Sequence, residues 1–406
     1  MNISSRNRYI IALILIHTLV MLGILTVVII LGVDYHELLL LDDGYYEMAG
    51  DIVEGKLHSD FYGFGYPCVL TWLFMFPEPF HPFLRLLTSI LFTCGTILLI
   101  YRIFGNYFKD DEIFWGVLIS ISNPLYVHWM FKSRVEAPLV FLLGLVILCS
   151  QYFLREKKYR HLLFASLFLA ISVVTKPVLM LIPYSILILS IFLKSKRTFI
   201  LAIVFAVVSI GAFWGTKRLI KGSTSGREYY KVYSIVNSAF YVDAVIRYRD
   251  FKTQYLHVED EYGNMIRNPH YVNGDKWVKE YEERYKSLNP VLMSLRFIYE
   301  KPGLVLQLLF ANTFLVFSLS SSEFETLMHF VVNCTIMIFA IYGMVKVKNK
   351  SGAFYIHLAI LLAIYALLVL VHSRGPYFIP IIPYLFAFAG RPLNNFVSLI
   401  TAAVRK

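Results

Sequence analysis

Two adjacent carboxylates, Asp42 and Asp43, follow the first long apolar run in the stretch Leu41-Asp42-Asp43-Gly44-Tyr45-Tyr46. Carboxylates at the mouth of an apolar helix are costly unless they face water or a substrate, and ionisable groups at membrane depth are a functional hypothesis by default. A carboxylate can take the proton of a hydroxyl nucleophile, and Arg or Lys can neutralise the charge on a departing phosphate. The chain carries candidates for both roles in separate connecting segments: Glu136 beside the aspartates, with Arg134, Lys176, His372 and Arg374 as cationic or titratable partners, and Tyr46, Tyr62 and Tyr66 as aromatic ones. Each also has a plain reading. Asp42 and Asp43 suit a solvated loop or a helix N-cap, Arg134 and Lys176 suit snorkelling interface anchors, Glu136 suits a first helical turn, and the tyrosines suit a membrane belt.

What must position these residues is a membrane scaffold. Of the 406 residues 58% are hydrophobic and only 16% charged, against roughly a quarter in ordinary globular domains. The mean hydropathy is +0.62. An all-α polytopic membrane protein follows. The net charge of +11 does not indicate nucleic acid, because the basic residues fall in short clusters between apolar runs, the pattern of cytoplasmic loops. Cys68, Cys94, Cys149 and Cys334 lack metal-ligand spacing, and no pattern in the chain calls for a cofactor or a metal.

Topology brings the candidates together. Arg6 and Arg8 precede a run from Tyr9 to Val33, long enough to cross a hydrocarbon core of about 30 Å, which places residues 34–81 outside as a first external loop. Spans follow at about Leu84–Phe104, from there to Tyr126, and at Pro138–Phe153. The apolar stretch His161–Leu193 is split at Lys176-Pro177 into a hairpin, and Phe199–Leu219 leads out again. Residues 221–302 are polar and tyrosine-rich and read as an external cap, dividing an N-terminal membrane module, 1–220, from a C-terminal one, 303–406. Placing Lys346, Lys348 and Lys350 inside requires Leu304–Ser318 to be interfacial or re-entrant. Ten spans result, with both termini cytoplasmic; eleven is the alternative, if that segment crosses. Asp42, Asp43, Glu136, Lys176 and Arg374 then share the outer face.

The order of these pieces resembles the polytopic GT-C glycosyltransferases, the group of the protein O-mannosyltransferases and the lipid A aminoarabinose transferase. Asp42-Asp43-Gly44-Tyr45-Tyr46, with Ala49 and Gly55 behind it, is similar to their acidic pair in the first external loop. Phe64-Gly65-Tyr66-Pro67 is similar to the end of that loop in bacterial members. Ser133-Arg134-Val135-Glu136, Thr175-Lys176-Pro177 and Arg374-Gly375-Pro376-Tyr377, with Pro380 and Pro383, resemble later steps in the same order. The Lys-Pro-Pro-Leu that ends the first loop in aminoarabinose transferases is absent.

The resemblance implies a GT-C-like bundle in the cell membrane. It implies sugar transfer from a polyprenyl-phosphate donor to a hydroxyl of a glycan, lipid or protein outside the cytoplasm, with inversion. In that scheme Asp42 is the general base, Asp43 or Glu136 orients the sugar or acceptor, and Arg374, Lys176 and Arg134 hold the phosphate. A polysaccharide polymerase or ligase would concentrate arginines in a late external loop. The early Asp42-Asp43 pair disfavours that reading. A transporter would show polar residues at mid-depth and an internal repeat, whereas the chain shows no repeat and its polar residues lie at one face.

Overall fold

The computed structural model describes residues 5–41, 44–56, 64–219, 236, 239–240, 257–259, 265–267, 269–288, 290–315, 323–348, 350–371 and 379–404. Asp42, Asp43, Tyr62, His372 and Arg374 lie outside the described residues. The described chain is helical apart from one small hairpin. Two compact units are formed, one by residues 1–223, 335–364 and 379–406, the other by residues 224–334 and 365–378.

The first unit begins with α1 (Ser5–Ile30), α2 (Tyr45–Val53) and α3 (Gly65–Leu70). It continues with α4 (His81–Phe104), α5 (Asp110–Ile121), α6 (Pro124–Phe131) and α7 (Glu136–Glu156). Then come α8 (Tyr159–Thr175), α9 (Ile182–Leu193) and α10 (Lys196–Leu219). Five helices of the described chain are long and apolar enough to cross a membrane: Ser5–Ile30, Glu78–Phe104, Glu136–Glu156, Lys196–Gly215 and Met328–Val345. Shorter apolar helices, such as Tyr159–Thr175 and Leu179–Leu193, pack among them. Leu15, Leu19 and Leu22 of α1 and Ile188 and Phe192 of α9 are exposed, an apolar surface suited to hydrocarbon and untenable in water. Some hydroxyls inside the helices donate back to the preceding turn, as Thr96 does to the Phe92 carbonyl and Ser166 to that of Leu162.

The expected break at Lys176-Pro177 is present: α8 stops at Thr175 and a 3-10 turn over Pro177–Leu181 leads into α9. Proline there lacks the N–H that would continue the helix. α8 packs on α7, and α10 packs on both α8 and α9.

One end of this unit gathers the basic turns. Arg6 Nη2 donates to the Tyr101 carbonyl at 2.5 Å, and Arg155 lies over the Tyr107 ring. Arg391 binds Glu112 at 2.7 Å and donates to the Lys346 carbonyl at 2.8 Å. The segments expected on the cytoplasmic side therefore meet at one end, with the start of α4 about 24 Å away at a rise of 1.5 Å per residue from Arg85 to Tyr101.

Residues 377–389 were expected to be an ordinary final span. In the described part, a 3-10 turn (Ile379–Ile381), a short helix (Ile382–Phe386) and a second 3-10 turn (Ala387–Ala389) form an entirely buried rod. It fits because three helices present glycines to it. A Cβ on Gly116 would strike Ala387, one on Gly144 would strike Tyr384, and one on Gly343 would strike the Phe388 carbonyl. The Tyr384 hydroxyl donates to the Val140 carbonyl at 2.8 Å. Close approach of backbones through small residues is the usual way helices associate in lipid. An amphipathic helix, Gly390–Val404, continues from the rod.

The second unit has its own core, with Val236, Ala239, Tyr281, Met293, Phe297, Val305 and Leu308 buried together. Strands His257–Glu259 and Met265–Arg267 pair antiparallel. Glu300 accepts from the Tyr285 hydroxyl at 2.6 Å and pairs with Arg296 at 2.7 Å. These contacts, the tyrosine bond first, hold its carboxyl below the usual carboxylate range. The helix Pro302–Leu315, over the segment of uncertain parity, rises about 21 Å, less than a bilayer core, and packs on the helix Pro290–Glu300.

Gly343→Ala is expected to lower the thermal unfolding temperature in detergent, because Phe388 must move. Gly211→Ala on α10, where a Cβ meets nothing, should be neutral or stabilising by up to ~1 kcal/mol through helix propensity. Equal effects at the two glycines would refute the notch.

Candidate functional site

The end of the first unit opposite the basic turns is organised by two carbonyls and one arginine. α6 stops where Lys132 and Ser133 donate to the carbonyls of His128 and Met130. Ser133 then takes a left-handed conformation, φ 51°, uncommon for a residue with a side chain. That turn aims its carbonyl at the start of α4. Arg85 Nε donates to it at 3.0 Å, and the Tyr66 hydroxyl donates to the same oxygen. Arg85 Nη1 donates to the Leu40 carbonyl at 2.9 Å. Arg85 is only 1% exposed, so a full charge sits inside the bundle with the backbone just before Asp42 on one side and that before Glu136 on the other. Sequence reasoning missed it. A lone cation within the apolar run Leu84–Leu87 was the available signal, obscured because the span was taken to begin at Leu84, where a charge passes for an interface anchor.

Gly44, φ 70°, supplies the left-handed turn that starts α2 directly after the aspartates, a conformation glycine adopts without the Cβ penalty. Tyr45 packs edge-on against Tyr66, with ring centroids 5.3 Å apart. Tyr66 is fully buried, and its hydroxyl is committed to Ser133. The neighbouring Gly65 lies so close to Thr175 that any side chain would collide with that residue's backbone and hydroxyl. The Gly-Tyr-Pro end of the first loop is thus seated on the Thr175-Lys176-Pro177 turn.

From that turn Lys176 Nζ reaches Glu136 Oε1 at 3.0 Å, both side chains being largely buried. The other carboxylate oxygen, Oε2, is shut off from solvent and has no hydrogen-bond partner among the described residues. A buried carboxylate oxygen normally has a donor, which sets this one apart. Of the expected residues, then, Glu136, Lys176 and Tyr66 are brought into one cluster. Arg134 instead turns onto the Trp129 ring, with its guanidinium 4.9 Å from the centroid.

Tyr46 stands beside this cluster, stacked on Phe74 at 5.2 Å. Its hydroxyl lies 2.7 Å from Nδ1 of His81, whose Nε2 lies 2.8 Å from the Phe76 carbonyl. Burial first, and then the carboxylates Glu78 and Glu47, hold the Tyr46 phenol above its ordinary value.

Fold and site together define a class: a helical membrane protein with a buried polar cluster at one end of its bundle. Residues 71–215 match the family model of the dolichyl-phosphate-mannose-protein mannosyltransferases. The match covers a little over a third of the chain and includes Arg85, Ser133, Glu136 and Lys176. The GT-C likeness expected from the short motifs is therefore met over this stretch by a family of glycosyltransferases. No curated protein matches the chain.

Removing Lys176 alone should be costly, because it leaves the Glu136 carboxylate buried without its cation. Lys176→Met is expected to destabilise by about 3–5 kcal/mol, and Glu136→Gln added to it should recover much of that loss. Thermal unfolding of the two single variants and the double variant measures the coupling, and strictly additive shifts would show that the pair does not interact.

Proposed function

We propose that this protein is a GT-C-type glycosyltransferase of the cell membrane. In this reading it crosses the bilayer ten times with both termini in the cytoplasm, and it moves a sugar from a polyprenyl-phosphate donor to an acceptor hydroxyl on the extracytoplasmic face. The observation that carries the reading is the buried Glu136–Lys176 pair, one of whose carboxylate oxygens has no partner among the described residues, inside the stretch that matches the mannosyltransferase family. The family's name specifies a dolichyl-phosphate-mannose donor and a protein acceptor. For this chain the donor is assigned only as a polyprenyl-phosphate sugar and the acceptor as a glycan, lipid or protein hydroxyl.

The reaction is a single displacement. The acceptor oxygen bonds to the anomeric carbon from the face opposite the phosphate, the bond from that carbon to the phosphate oxygen breaks, and the configuration inverts. Asp42 takes the proton of the acceptor hydroxyl. Leu40 and Gly44, on either side of the acidic pair, are held by the Arg85 bond and by the turn into α2, which suits a base that must sit within hydrogen-bond reach of its substrate. Asp43 and Glu136 orient hydroxyls, the open oxygen of Glu136 accepting one of them. Lys176, Arg134 and Arg374 neutralise the phosphate as it leaves with both bridging electrons. Tyr62 and His372 complete the substrate-facing set.

Transfer from a labelled panel of polyprenyl-phosphate sugars into membranes tests the reading. Asp42→Asn should lower transfer by about two orders of magnitude or more while membrane insertion is unchanged, and near-normal activity would refute the base assignment. Arg374→Ala should raise the KM for the donor more than it lowers kcat if it binds the ground-state phosphate; unchanged donor dependence would remove it from the site.

Arg85→Met should abolish activity and destabilise the protein, because the Leu40 carbonyl loses the guanidinium and the Ser133 carbonyl is left with the Tyr66 hydroxyl. Arg85→Lys keeps the charge without the planar fork that spans both carbonyls, so it should restore stability better than transfer. Equal recovery of stability and transfer would reduce Arg85 to a structural cation.

A further inference from the structure

We infer that Tyr46 recognises a hydroxyl group, and not the phosphate, and that His81 is the positioning residue that fixes this choice. The inference rests on the glycosyl-transfer reading of the site and narrows it.

The argument is one of hydrogen-bond polarity. The Phe76 carbonyl can only accept, so His81 Nε2, 2.8 Å away, carries a hydrogen and donates it. A neutral imidazole with Nε2–H has a bare Nδ1, which can only accept. Against the neutral ring the Tyr46 hydroxyl, at 2.7 Å, donates its single hydrogen to Nδ1. His81 is 3% exposed and is wedged edge-on against both the Tyr46 and Phe74 rings, so its orientation is fixed by packing. Stacking on Phe74 likewise fixes the Tyr46 ring. The phenol also keeps its proton, since burial and the carboxylates Glu78 and Glu47 oppose ionisation.

Tyr46 thus has no hydrogen left to give. Any further group that meets the phenol oxygen finds only lone pairs, which repel a phosphate oxygen and attract an O–H. The chain Phe76 carbonyl–His81–Tyr46 makes a tyrosine four residues after Asp42 and three after Asp43 an acceptor for a hydroxyl. That hydroxyl belongs either to the sugar of the donor or to the acceptor substrate. A site that accepts from a hydroxyl discriminates against an analogue lacking it.

The test uses the full-length protein in lipid nanodiscs. Binding is measured for a polyprenyl phosphate alone and for the same lipid carrying mannose, glucose or 4-amino-arabinose, followed by transfer from bound donor. Tyr46→Phe, which keeps the stacked ring, should leave affinity for the bare lipid phosphate unchanged. If the hydroxyl is the sugar's, its affinity for the best-bound sugar lipid falls about tenfold, as for one lost neutral hydrogen bond. If the hydroxyl is the acceptor's, sugar-lipid affinity holds and transfer from bound donor falls by that factor. His81→Leu removes the acceptor and should reproduce the loss of preference, whereas His81→Asn, which keeps an acceptor near Nδ1, should restore it in part. A purely structural role would weaken both lipids together.

The inference is overturned if Tyr46→Phe weakens bare lipid phosphate as much as sugar lipid, or if it moves neither binding nor transfer. Tyr46→Phe remains decisive should His81→Leu fail to fold. A wild-type protein that binds neither lipid overturns the glycosyl-transfer reading itself, and the inference with it.

Discussion

Arg85 is the contact on which the first unit's polar end depends. Its guanidinium is buried among helices and spans the carbonyls of Leu40 and Ser133, two oxygens that belong to segments more than ninety residues apart. A charge in that position is expensive to bury and is tolerated only with several well-placed acceptors. In return it joins the first connecting loop to the loop that starts α7. The left-handed turn at Ser133, the committed hydroxyl of Tyr66 and the close seat of Gly65 on Thr175 all follow from bringing those loops into one place.

The opposite end is built on the same physics with a different result. Arg391 draws Glu112, the Lys346 carbonyl and the Tyr107 carbonyl together. That clasp locks the last helical run to α5. Between the two ends the bundle is held by close backbone approach, the glycines of three helices receiving the buried rod at 379–389. Polar bonds concentrate at the ends and small-residue contacts in the middle, as expected when the surrounding solvent is hydrocarbon.

Within the polar end the groups differ in what they can still do. Tyr66 has spent its hydroxyl on Ser133 and so supports the site's shape. Glu136 keeps one buried oxygen without a partner among the described residues, and Tyr46 keeps its lone pairs while its hydrogen is held by His81.

Much of this could be read from the chain. Hydropathy identified the membrane class, Lys176-Pro177 marked the break between α8 and α9, and the charge clusters named the segments that meet at one end, because these features depend on local composition and on the cost of burying charge. The order of the motifs was enough to suggest the family that residues 71–215 match. Three things needed the tertiary structure. Residues 379–389 looked like any apolar span, and only the notches at Gly116, Gly144 and Gly343 show how they are buried among three helices. Arg85 looked like an interface charge until its two carbonyl partners, one from each distant loop, came into view. His81 carried no signal at all, since a histidine's polarity is set by which group accepts from its other nitrogen, and the Phe76 carbonyl reaches it only through the fold of the loop between them. Sequence determines which groups are costly to bury; only the folded chain decides which partners make that burial bearable.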